Sequence, residues 1–307
     1  MKNKKIIIGS RGSKLALIYA ERAKERILEV SKEFNIASVE IKKITTAGDL
    51  NQKDRLSEIG GKGLFSKKIE DELIRKKIDI AVHALKDMPT RETRGLVTIC
   101  YLKRNDKREV LISRGKKVLN RLSSGSVIGT SSYRREFQLK EKRSDLKYKL
   151  IRGNIDTRLK KLNQKLYDGI ILSYAGIKLL GLKKKVSQIF STSEIIPSAG
   201  QGIIALQCRK NNTKIKNLLK KINHKSTFYS GQAERKVLKV LDGDCETAIG
   251  VSASIKKNKI IIESELFSLD GKKRFYEKDS STLSKANQLG KKIGVKLKKR
   301  SKNLYKK

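Results

Sequence analysis

The stretch KIIIGSRGSKLAL at residues 5–17 decides the fold class of this chain. Its apolar start at residues 5–9 predicts a buried strand, and the polar turn that follows leads into a helix from about Ser13 to Val30. The apolar residues of that helix have the spacing of one helix face: Leu15, Ile18, Ala23, Ile27 and Val30. A buried strand followed directly by an amphipathic helix is the repeating unit of α/β proteins.

The same alternation continues as far as residue 172. Strands are predicted at 39–45, 79–83, 109–113, 127–129, 148–151 and 169–172, and helices at 64–76, 133–142 and 155–166. The first run of strand, helix, strand and helix predicts a parallel α/β sheet. The pattern restarts at residue 109, which predicts a second α/β unit. The segment 47–63 is rich in glycine and charged residues, which predicts a mobile loop.

After about residue 220 the order of the elements changes. A predicted helix at 226–241 precedes strands at 249–255, 259–269 and 272–276, and a final helix covers 282–298. Successive strands without intervening helices are typical of an antiparallel sheet. The chain therefore has the fold class α/β, with a small C-terminal α+β domain.

The composition is strongly basic, with 73 Lys and Arg against 31 Asp and Glu and a formal net charge of +42. One interpretation is a nucleic-acid-binding protein attracted to phosphate. The other is that lysine has accumulated on solvated surfaces throughout the chain. The lysines are spread from end to end, aromatic residues make up only 5% and tryptophan is missing, which favours the second interpretation. Non-specific attraction to RNA at low salt is still expected.

The sequence has no long apolar run, so we expect neither a signal peptide nor a membrane span. Its three cysteines have irregular spacing, which predicts neither a disulfide framework nor a metal site. A cytoplasmic location is the simplest expectation. Cys100 and Cys208 are interpreted as small buried hydrophobic residues.

Three segments rich in carboxylate-binding groups lie at predicted strand ends: HALKD at 83–87, GTSSYRR at 129–135 and RGNIDTR at 152–158. Ligands of open α/β sheets bind at such strand ends, against helix amino termini. Arg134 and Arg135 fall in a first helical turn, where cations oppose the helix dipole by ~0.3–1 kcal/mol each. A bound anion would offset this cost, and arginine binds carboxylates through two parallel hydrogen bonds. The three segments therefore predict a cleft for a polyanion.

Two further residues suggest chemistry in that cleft. Asp87 is either a helix N-cap, worth ~1 kcal/mol, or a carboxylate that accepts ligand N–H groups and stabilises a developing cation. Cys245 lies in the polar, turn-like stretch LDGDCETA at 241–248, where a thiol is more reactive than in a core. A lone cysteine beside an arginine-lined cleft suggests a covalently held polyanionic ligand.

Taken in order, these motifs resemble the hydroxymethylbilane synthase family, also called porphobilinogen deaminase, over essentially the full length of the chain. The matching stretches are 9–17, 60–65, 83–89, 129–135, 152–158, 197–202 and the turn around Cys245. The resemblance implies a transferase of tetrapyrrole biosynthesis that joins four porphobilinogen molecules head to tail. Such an enzyme releases ammonia, frees hydroxymethylbilane by hydrolysis, and builds the product on a dipyrromethane cofactor. It also implies that a thioether attaches this cofactor to Cys245.

The resemblance also implies roles for individual residues. Asp87 is the catalytic carboxylate. The residues implied to hold the cofactor, besides Cys245, are Lys86, Ser131, Ser132, Arg134, Arg135, Thr130 and Gln201. The residues implied to hold the substrate or the growing chain are Arg11, Ser13, Arg152 and Arg158. Lys62 and Phe65 are placed on or beside a loop that covers the cleft.

The implied fold has two α/β domains of the periplasmic-binding-protein type, linked by crossing strands, and a small third domain that carries the cysteine. The implied domains comprise residues 1–102 with 198–219, residues 103–197, and residues 220–307. The implied protein is a cytoplasmic monomer that binds no metal, no membrane and no specific nucleic acid. A non-catalytic two-domain anion-binding protein is the alternative, but it leaves Cys245 without a purpose.

This chain departs from the family pattern at several positions: Lys14, Ala84, Leu179, Asp244 and Ala248. Ala84 stands where a serine is usual and removes one hydroxyl from the cofactor site. Leu179 stands where an arginine is common, so either one substrate carboxylate contact is missing or the neighbouring Lys178 substitutes for it in part. Asp244 places an anion next to Cys245, which disfavours the thiolate.

Overall fold

The computed structural model describes residues 4–50, 63–243 and 247–306. Its strands are β1 (Lys4–Arg11), β2 (Ile36–Ile44), β3 (Ile80–Ala84), β4 (Leu96–Tyr101), β5 (Glu109–Ser113), β6 (Val127–Gly129), β7 (Lys147–Lys149), β8 (Gly169–Ser173), β9 (Gln188–Ile189), β10 (Ile204–Arg209), β11 (Ile249–Lys256), β12 (Lys259–Phe267) and β13 (Arg274–Thr282). Its helices are α1 (Lys14–Leu28), α2 (Ala47–Leu50), α3 (Lys67–Ile74), α4 (Tyr133–Lys140), α5 (Ile155–Asn163), α6 (Tyr174–Leu179), α7 (Thr213–Ile222), α8 (Lys225–Val240) and α9 (Ala286–Ser301).

Within these ranges the strands form three sheets. The first has the order β2-β1-β3-β10-β4, the second β7-β6-β8-β5-β9, and the third is the antiparallel β11-β12-β13. The α/β class predicted from the sequence is confirmed: two α/β units, each built on a five-stranded sheet, and a small C-terminal α+β unit. The strands of each sheet lie within one of the three expected domain ranges. The domain boundaries themselves stay a prediction.

The parallel course predicted from the alternation of strands and helices holds for only part of each α/β sheet, namely β1 with β2 and β3, and β6 with β7 and β8. β10 runs antiparallel to β3 and β4, and β5 runs antiparallel to β8 and β9. Both exceptional strands enter from the other sheet, since β5 follows β4 and β10 follows β9 along the chain. Such a strand has no crossover helix within its own sheet to turn it parallel to its neighbours.

The sequence also missed several elements: β4, β9, β10, α6 and α7. The predicted loop at 47–63 begins instead with the short helix α2, and its residues 51–62 lie outside the described part of the chain. β10 was missed because the glycine-rich residues before it predict a turn, and a strand buried on both faces lacks the alternation of apolar and polar residues that marks a strand.

The core of the first sheet explains why its helices form. Ile6 and Ile8 of β1 pack against Ala20 and Ile27 of α1, which lie on one face of that helix. Burial of such side chains stabilises the fold by roughly 25 cal/mol per Å² of apolar surface. Cys100 and Cys208 belong to this core, with exposed fractions of 0% each, as the sequence predicted.

The third sheet is covered by α8 and α9, which approach each other closely at two glycines. A Cβ atom at Gly290 would lie 2.4 Å from the backbone oxygen of Ala233, and one at Gly294 would lie 2.7 Å from Cβ of Val240. Glycine at these positions therefore allows the two helices to pack.

A buried ion pair joins the connections between the sheets. Arg104, on the chain from β4 to β5, donates to both carboxylate oxygens of Glu234 at 2.6 and 3.0 Å. The same carboxylate accepts from the backbone N–H of Gly200, which precedes β10, and of Ala253 in β11, at 2.7 Å each. Glu234 has an exposed fraction of 0%. The carboxylate of Glu234 thus links the two connections between the first and second sheets to strand β11 of the third sheet.

Glu234→Gln is expected to lower the free energy of unfolding by about 3 kcal/mol, because it leaves a buried guanidinium without its anion. Urea unfolding of the purified protein measures the change. Glu33→Gln is the matched control, since Glu33 forms an exposed ion pair with Lys221 at 3.0 Å and such pairs contribute at most about 1 kcal/mol. Equal losses in the two variants would contradict the role of Glu234.

Candidate active site

A cleft of about 700 Å³ lies between the first and second sheets. It is lined by the ends of strands from both sheets, namely the turn after β1, the residues after β3, the start of α4 after β6, and the start of α5 after β7. The described residues that flank Cys245, Gly243 and Thr247, line the same cleft. We call it the central cleft.

Most residues singled out from the sequence meet at this cleft. Its lining includes Arg11, Ser13, Phe65, Lys86, Asp87, Ser131, Ser132, Arg134, Arg135, Arg152, Arg158 and Gln201. Thr130 lies behind the lining with an exposed fraction of 3%, and its hydroxyl accepts a hydrogen bond from the backbone N–H of Ser132 at 3.2 Å. Lys62 and Cys245 lie outside the described residues.

The charge of the described lining is unbalanced, with seven Lys and Arg side chains and three carboxylates. Two of the carboxylates form ion pairs, Asp49 with Arg11 and Asp156 with Lys14. The third, Asp87, has no hydrogen bond or ion pair with any residue in the described ranges. The central cleft is therefore a cationic site that contains one available carboxylate.

Asp87 is held by the backbone around it. It ends a short 3-10 turn, Leu85–Asp87, whose Leu85 N–H donates to Ile203 at 3.0 Å. The N-cap of this turn is Ala84, so the N-cap interpretation of Asp87 is wrong. The turn packs tightly against Gly200, where a Cβ atom would lie 2.8 Å from Leu85. The rigid turn directs a carboxylate that has no capping role towards the cleft.

Lys86, next to Asp87, is poorly solvated. Its Nζ lies 3.4 Å from Oε1 of Gln201, whose Nε2 donates to the backbone of Lys107 at 2.7 Å. Burial lowers the pKa of Lys86, and the negative charge of Asp87 opposes that change. A carboxylate ligand beside Lys86 would likewise favour its protonated form.

Arg134 and Arg135 are buried, with exposed fractions of 4% and 6%. Each donates to the carboxylate of Glu109, at 2.7 and 2.8 Å. Sequence reasoning missed Glu109, because it starts an apolar strand, EVLIS, and is far from the arginines along the chain. A charged residue in an otherwise apolar buried strand was the signal that could have indicated it. Burial alone would raise the pKa of Glu109, but the two guanidinium charges outweigh burial and lower it to about 2.

Arg152 and Arg158 extend this cationic surface, and we call the four residues Arg134, Arg135, Arg152 and Arg158 the arginine wall. Nε of Arg158 donates to the backbone of Gly153 at 2.9 Å. Burial, followed by the charges of Arg135 and Arg152, lowers the pKa of Arg158 to about 10. An anion bound among these guanidinium groups would offset the repulsion between their positive charges, so the arginine wall favours a polycarboxylate ligand.

Arg11 and Ser13 are already engaged within the protein. Nε of Arg11 donates to Asp49 at 3.1 Å, and its guanidinium lies 4.1 Å from the ring centre of Phe65. Ser13 is the N-cap of α1 and accepts from the N–H of Ala16 at 3.3 Å. A substrate carboxylate at Arg11 must therefore compete with Asp49.

Two departures from the family pattern have a structural consequence. Ala84 lines the central cleft without a hydroxyl. Leu179 packs against the core of the first sheet and offers no cation to a ligand. Lys178 is exposed, and no atom of it is part of the described lining.

His83 is a buried residue of the cleft lining. Its Nε2 lies 3.2 Å from Oε1 of Gln207, whose Nε2 donates to Glu70 at 2.9 Å. Burial lowers the pKa of His83 to about 4, although Gln207 and Asp87 partly oppose the change. His83 is therefore neutral near neutral pH.

This pKa predicts the acid sensitivity of the fold. The unfolded chain binds a proton at His83 below about pH 6.5, whereas the folded protein does so only near pH 4. Stability should therefore fall as pH drops through this window, by up to about 3 kcal/mol. His83→Gln should flatten the pH dependence of the urea midpoint between pH 7 and pH 4.5. The other histidine, exposed His224, provides the control variant His224→Gln, which should keep the wild-type slope. Parallel curves for wild type and His83→Gln would contradict the assignment.

The fold and the cleft together define a class: an α/β protein whose paired sheets enclose a cationic site, with one carboxylate, Asp87, that has no hydrogen bond or ion pair among the described residues. The model "Porphobilinogen deaminase, dipyromethane cofactor binding domain" matches residues 6–217, and "Porphobilinogen deaminase, C-terminal domain" matches residues 228–299. The chain belongs to the porphobilinogen deaminase family, a family of transferases in tetrapyrrole biosynthesis with a dipyrromethane cofactor.

Full-length relatives agree with this membership. Porphobilinogen deaminase of Geobacillus sp. strain WCH70 is 42% identical over 276 residues, which cover 89% of this chain and 88% of the relative. The protein of the same name from Desulforamulus reducens is 38% identical over 293 residues, covering 95% and 94%. That from Alkaliphilus metalliredigens is 40% identical over 290 residues, covering 94% and 90%.

Similar solved structures are far more distant. They include an arginine-specific periplasmic binding protein of Salmonella typhimurium, with 12% identity and a TM-score of 0.39, covering 71% of this chain and 91% of that one. The periplasmic aliphatic sulphonate binding protein of Escherichia coli has 12% identity and a TM-score of 0.40, with coverage of 78% and 70%. Similarities this low carry no argument about function. Among the described helices, none has the length and apolar content needed to cross a membrane.

Proposed function

We propose that the central cleft is the active site of a hydroxymethylbilane synthase, in which the arginine wall holds pyrrole carboxylates and Asp87 stabilises the cationic reaction centre. The observation that carries this proposal is the carboxylate of Asp87, without a hydrogen bond or ion pair in the described ranges, in a cleft whose described lining contains seven cations. Each pyrrole ring of the substrate carries an acetate and a propionate. The growing chain is therefore a polyanion that matches the cationic lining in charge.

The residues of the cleft fit the dipyrromethane cofactor. Nε of Arg135 is buried and has no hydrogen-bond partner in the described ranges, as expected for a donor that awaits a ligand oxygen. When bound, the cofactor supplies the free pyrrole α-carbon to which the first substrate unit is joined. Lys86, Ser131, Ser132, Arg134 and Arg135 would hold its carboxylates, with Gln201 orienting Lys86. Thr130 would support Ser132 from behind the lining.

We assign the attachment of the cofactor to Cys245. The two described residues nearest to it in sequence, Gly243 and Thr247, line the central cleft. The other two cysteines are buried in the core of the first sheet, where burial raises the pKa of both thiols, that of Cys208 to about 11. Since the thiolate is the reactive form, neither Cys100 nor Cys208 is suited to attachment.

Asp87 contributes to the reaction through its charge. Porphobilinogen loses ammonia to give a methylene-pyrrolenine, a cation whose methylene carbon is attacked by a pyrrole α-carbon. That α-carbon then loses its proton to the carboxylate of Asp87 or to water, which restores the aromatic ring. A fixed carboxylate close to the pyrrole N–H groups stabilises that cation and accepts their hydrogen bonds. Arg11, Arg152 and Arg158 bind the acetate and propionate of the incoming unit and fix its orientation, with Ser13 holding the turn that carries Arg11. Lys62 and Phe65 are assigned to the cover of the cleft.

The mass of the intact protein tests this proposal. Protein purified from a host that makes porphobilinogen is expected to carry an adduct of two linked pyrroles on Cys245. A bare polypeptide mass for active protein would overturn the proposal.

Titration with porphobilinogen tests the alternative, a non-catalytic anion-binding protein. The enzyme should release ammonia continuously, whereas a binding protein saturates without releasing it. The proposal also includes a monomer in the cytoplasm that takes porphobilinogen and water as its small-molecule partners. A dimer in size-exclusion chromatography would correct that part alone.

A further inference from the structure

We infer that Glu109 is a positioning residue, which orients Arg134 and Arg135 so that they can receive the carboxylates of the cofactor. The inference rests on the proposed function of the arginine wall. Glu109 lies on β5 with an exposed fraction of 0% and is not part of the described cleft lining. It therefore acts on a ligand only through the two arginines.

The contacts of Glu109 divide evenly between its partners. Its Oε1 accepts a hydrogen bond from Nη2 of Arg134 at 2.7 Å, and its Oε2 accepts one from Nη2 of Arg135 at 2.8 Å. Each guanidinium group also donates through Nη1 to a backbone oxygen, that of Arg134 to Ile196 at 2.8 Å and that of Arg135 to Ile171 at 3.1 Å. Two anchoring points fix the plane of a guanidinium group, and Glu109 provides one of them to each arginine.

The anchored arginines still have capacity for a ligand. Both belong to the cleft lining, and Nε of Arg135 is a buried donor without a hydrogen-bond partner in the described ranges. One carboxylate between two guanidinium groups leaves a surplus of one positive charge. The unit formed by the three side chains is therefore a fixed receptor for an anion.

Charge and orientation predict opposite effects when Glu109 is changed to Gln. If Glu109 mattered only through its charge, its removal would make the cleft more positive and would strengthen the binding of a polyanion. If Glu109 orients the arginines, binding weakens, because the Gln side chain has one acceptor oxygen and turns an NH₂ group towards the other guanidinium. The direction of the change thus separates the two explanations.

The experiment compares wild type with Glu109→Gln, Glu109→Asp and Glu136→Gln. Glu136 is the charge-matched control, since it lies on the same helix as the arginines and pairs with Lys140 at 2.7 Å. Cofactor-free protein is made in a host that cannot synthesise porphobilinogen and is then incubated with porphobilinogen. Intact mass spectrometry follows the appearance of the adduct, and the unfolding temperature is measured for the bare and loaded forms.

We expect Glu109→Gln to load the cofactor at least about tenfold more slowly than wild type, as when residues that orient metal ligands are removed. Loading should raise its unfolding temperature by less than half of the wild-type increment, because a misaligned receptor gains less from its ligand. Glu109→Asp should recover part of both effects, and Glu136→Gln should match wild type. A purely structural role would lower the unfolding temperatures of the bare and loaded forms equally and leave the increment unchanged.

An unchanged or larger increment and an equal or faster loading rate in Glu109→Gln would overturn the inference. Should that variant fail to fold, Glu109→Asp decides the question: a reduced increment supports the inference and a wild-type increment refutes it. Failure of the proposed function is a separate result, because wild type incubated with porphobilinogen would then acquire no adduct.

Discussion

Replacing Asp87 by Asn is expected to lower the rate of ammonia release from porphobilinogen by about 10²- to 10⁴-fold, the range for a lost charge-stabilising or proton-transferring group. Asn has the same size but no negative charge to oppose the methylene-pyrrolenine cation. Because Asp87 has no hydrogen bond or ion pair in the described part of the chain, the substitution breaks neither kind of contact there and removes only the effect of its charge on neighbours such as Lys86 and His83. The fold should therefore survive, and the loss should appear in kcat.

Two further variants sharpen this test. Asp87→Glu keeps the charge but moves it by one methylene, so its activity should lie between those of wild type and Asp87→Asn. Asp145→Asn makes the same chemical change at a surface ion pair with Arg143 and should leave kcat unaltered. Wild-type turnover in Asp87→Asn would refute the catalytic role, and a large drop in unfolding temperature would assign the loss to folding instead.

Cys245→Ser has the second large expected effect: complete loss of the covalent adduct and of turnover. A serine hydroxyl is not appreciably ionised near neutral pH, so it lacks the nucleophilic character of a thiolate. The arginine wall is unchanged in this variant and should still bind acidic pyrroles reversibly. Intact mass spectrometry and an ammonia assay measure the two losses.

The chain provides a matched control in Cys208→Ala, since Cys208 lies in the core of the first sheet with an exposed fraction of 0%. This variant should keep the adduct and lose only stability. An adduct of unchanged mass on Cys245→Ser would show that attachment takes place elsewhere. Loss of the adduct in Cys208→Ala at normal stability would point to Cys208.

Particular residues show how far the sequence could lead. The apolar run before Gly9 and the helical spacing after Ser13 predicted β1 and α1 to within two residues at each end, because local periodicity reflects which faces are buried. The motifs at 83–87, 129–135 and 152–158 were expected to meet, and they do line one cleft. The family and its cofactor also followed from these motifs, since they were carried by short contiguous stretches.

Other features could not be predicted from the sequence because they depend on contacts between residues that are distant in the chain. The sequence showed Arg134 and Arg135 as cations that await a ligand, but not that Glu109 already binds both of them. The resemblance implied a substrate-binding role for Arg11, but the sequence did not indicate its ion pair with Asp49 or its contact with Phe65. Nor did it indicate the junction built on Glu234, whose partners come from the two connections between sheets and from β11.

The sequence by itself determined the alternation of strands and helices up to residue 172, the change to successive strands after residue 220 and the set of basic and hydroxyl side chains that line the cleft, because these depend on local patterns of polarity and on residue type. Only the tertiary structure decided the antiparallel course of β5 and β10, and which charges are already paired within the protein. Pairing between strands and between charges is set by which segments meet in space. Folding brings Glu109 to two arginines and leaves Asp87 without a hydrogen bond or ion pair among the described residues, and neither set of partners can be read from the neighbouring sequence.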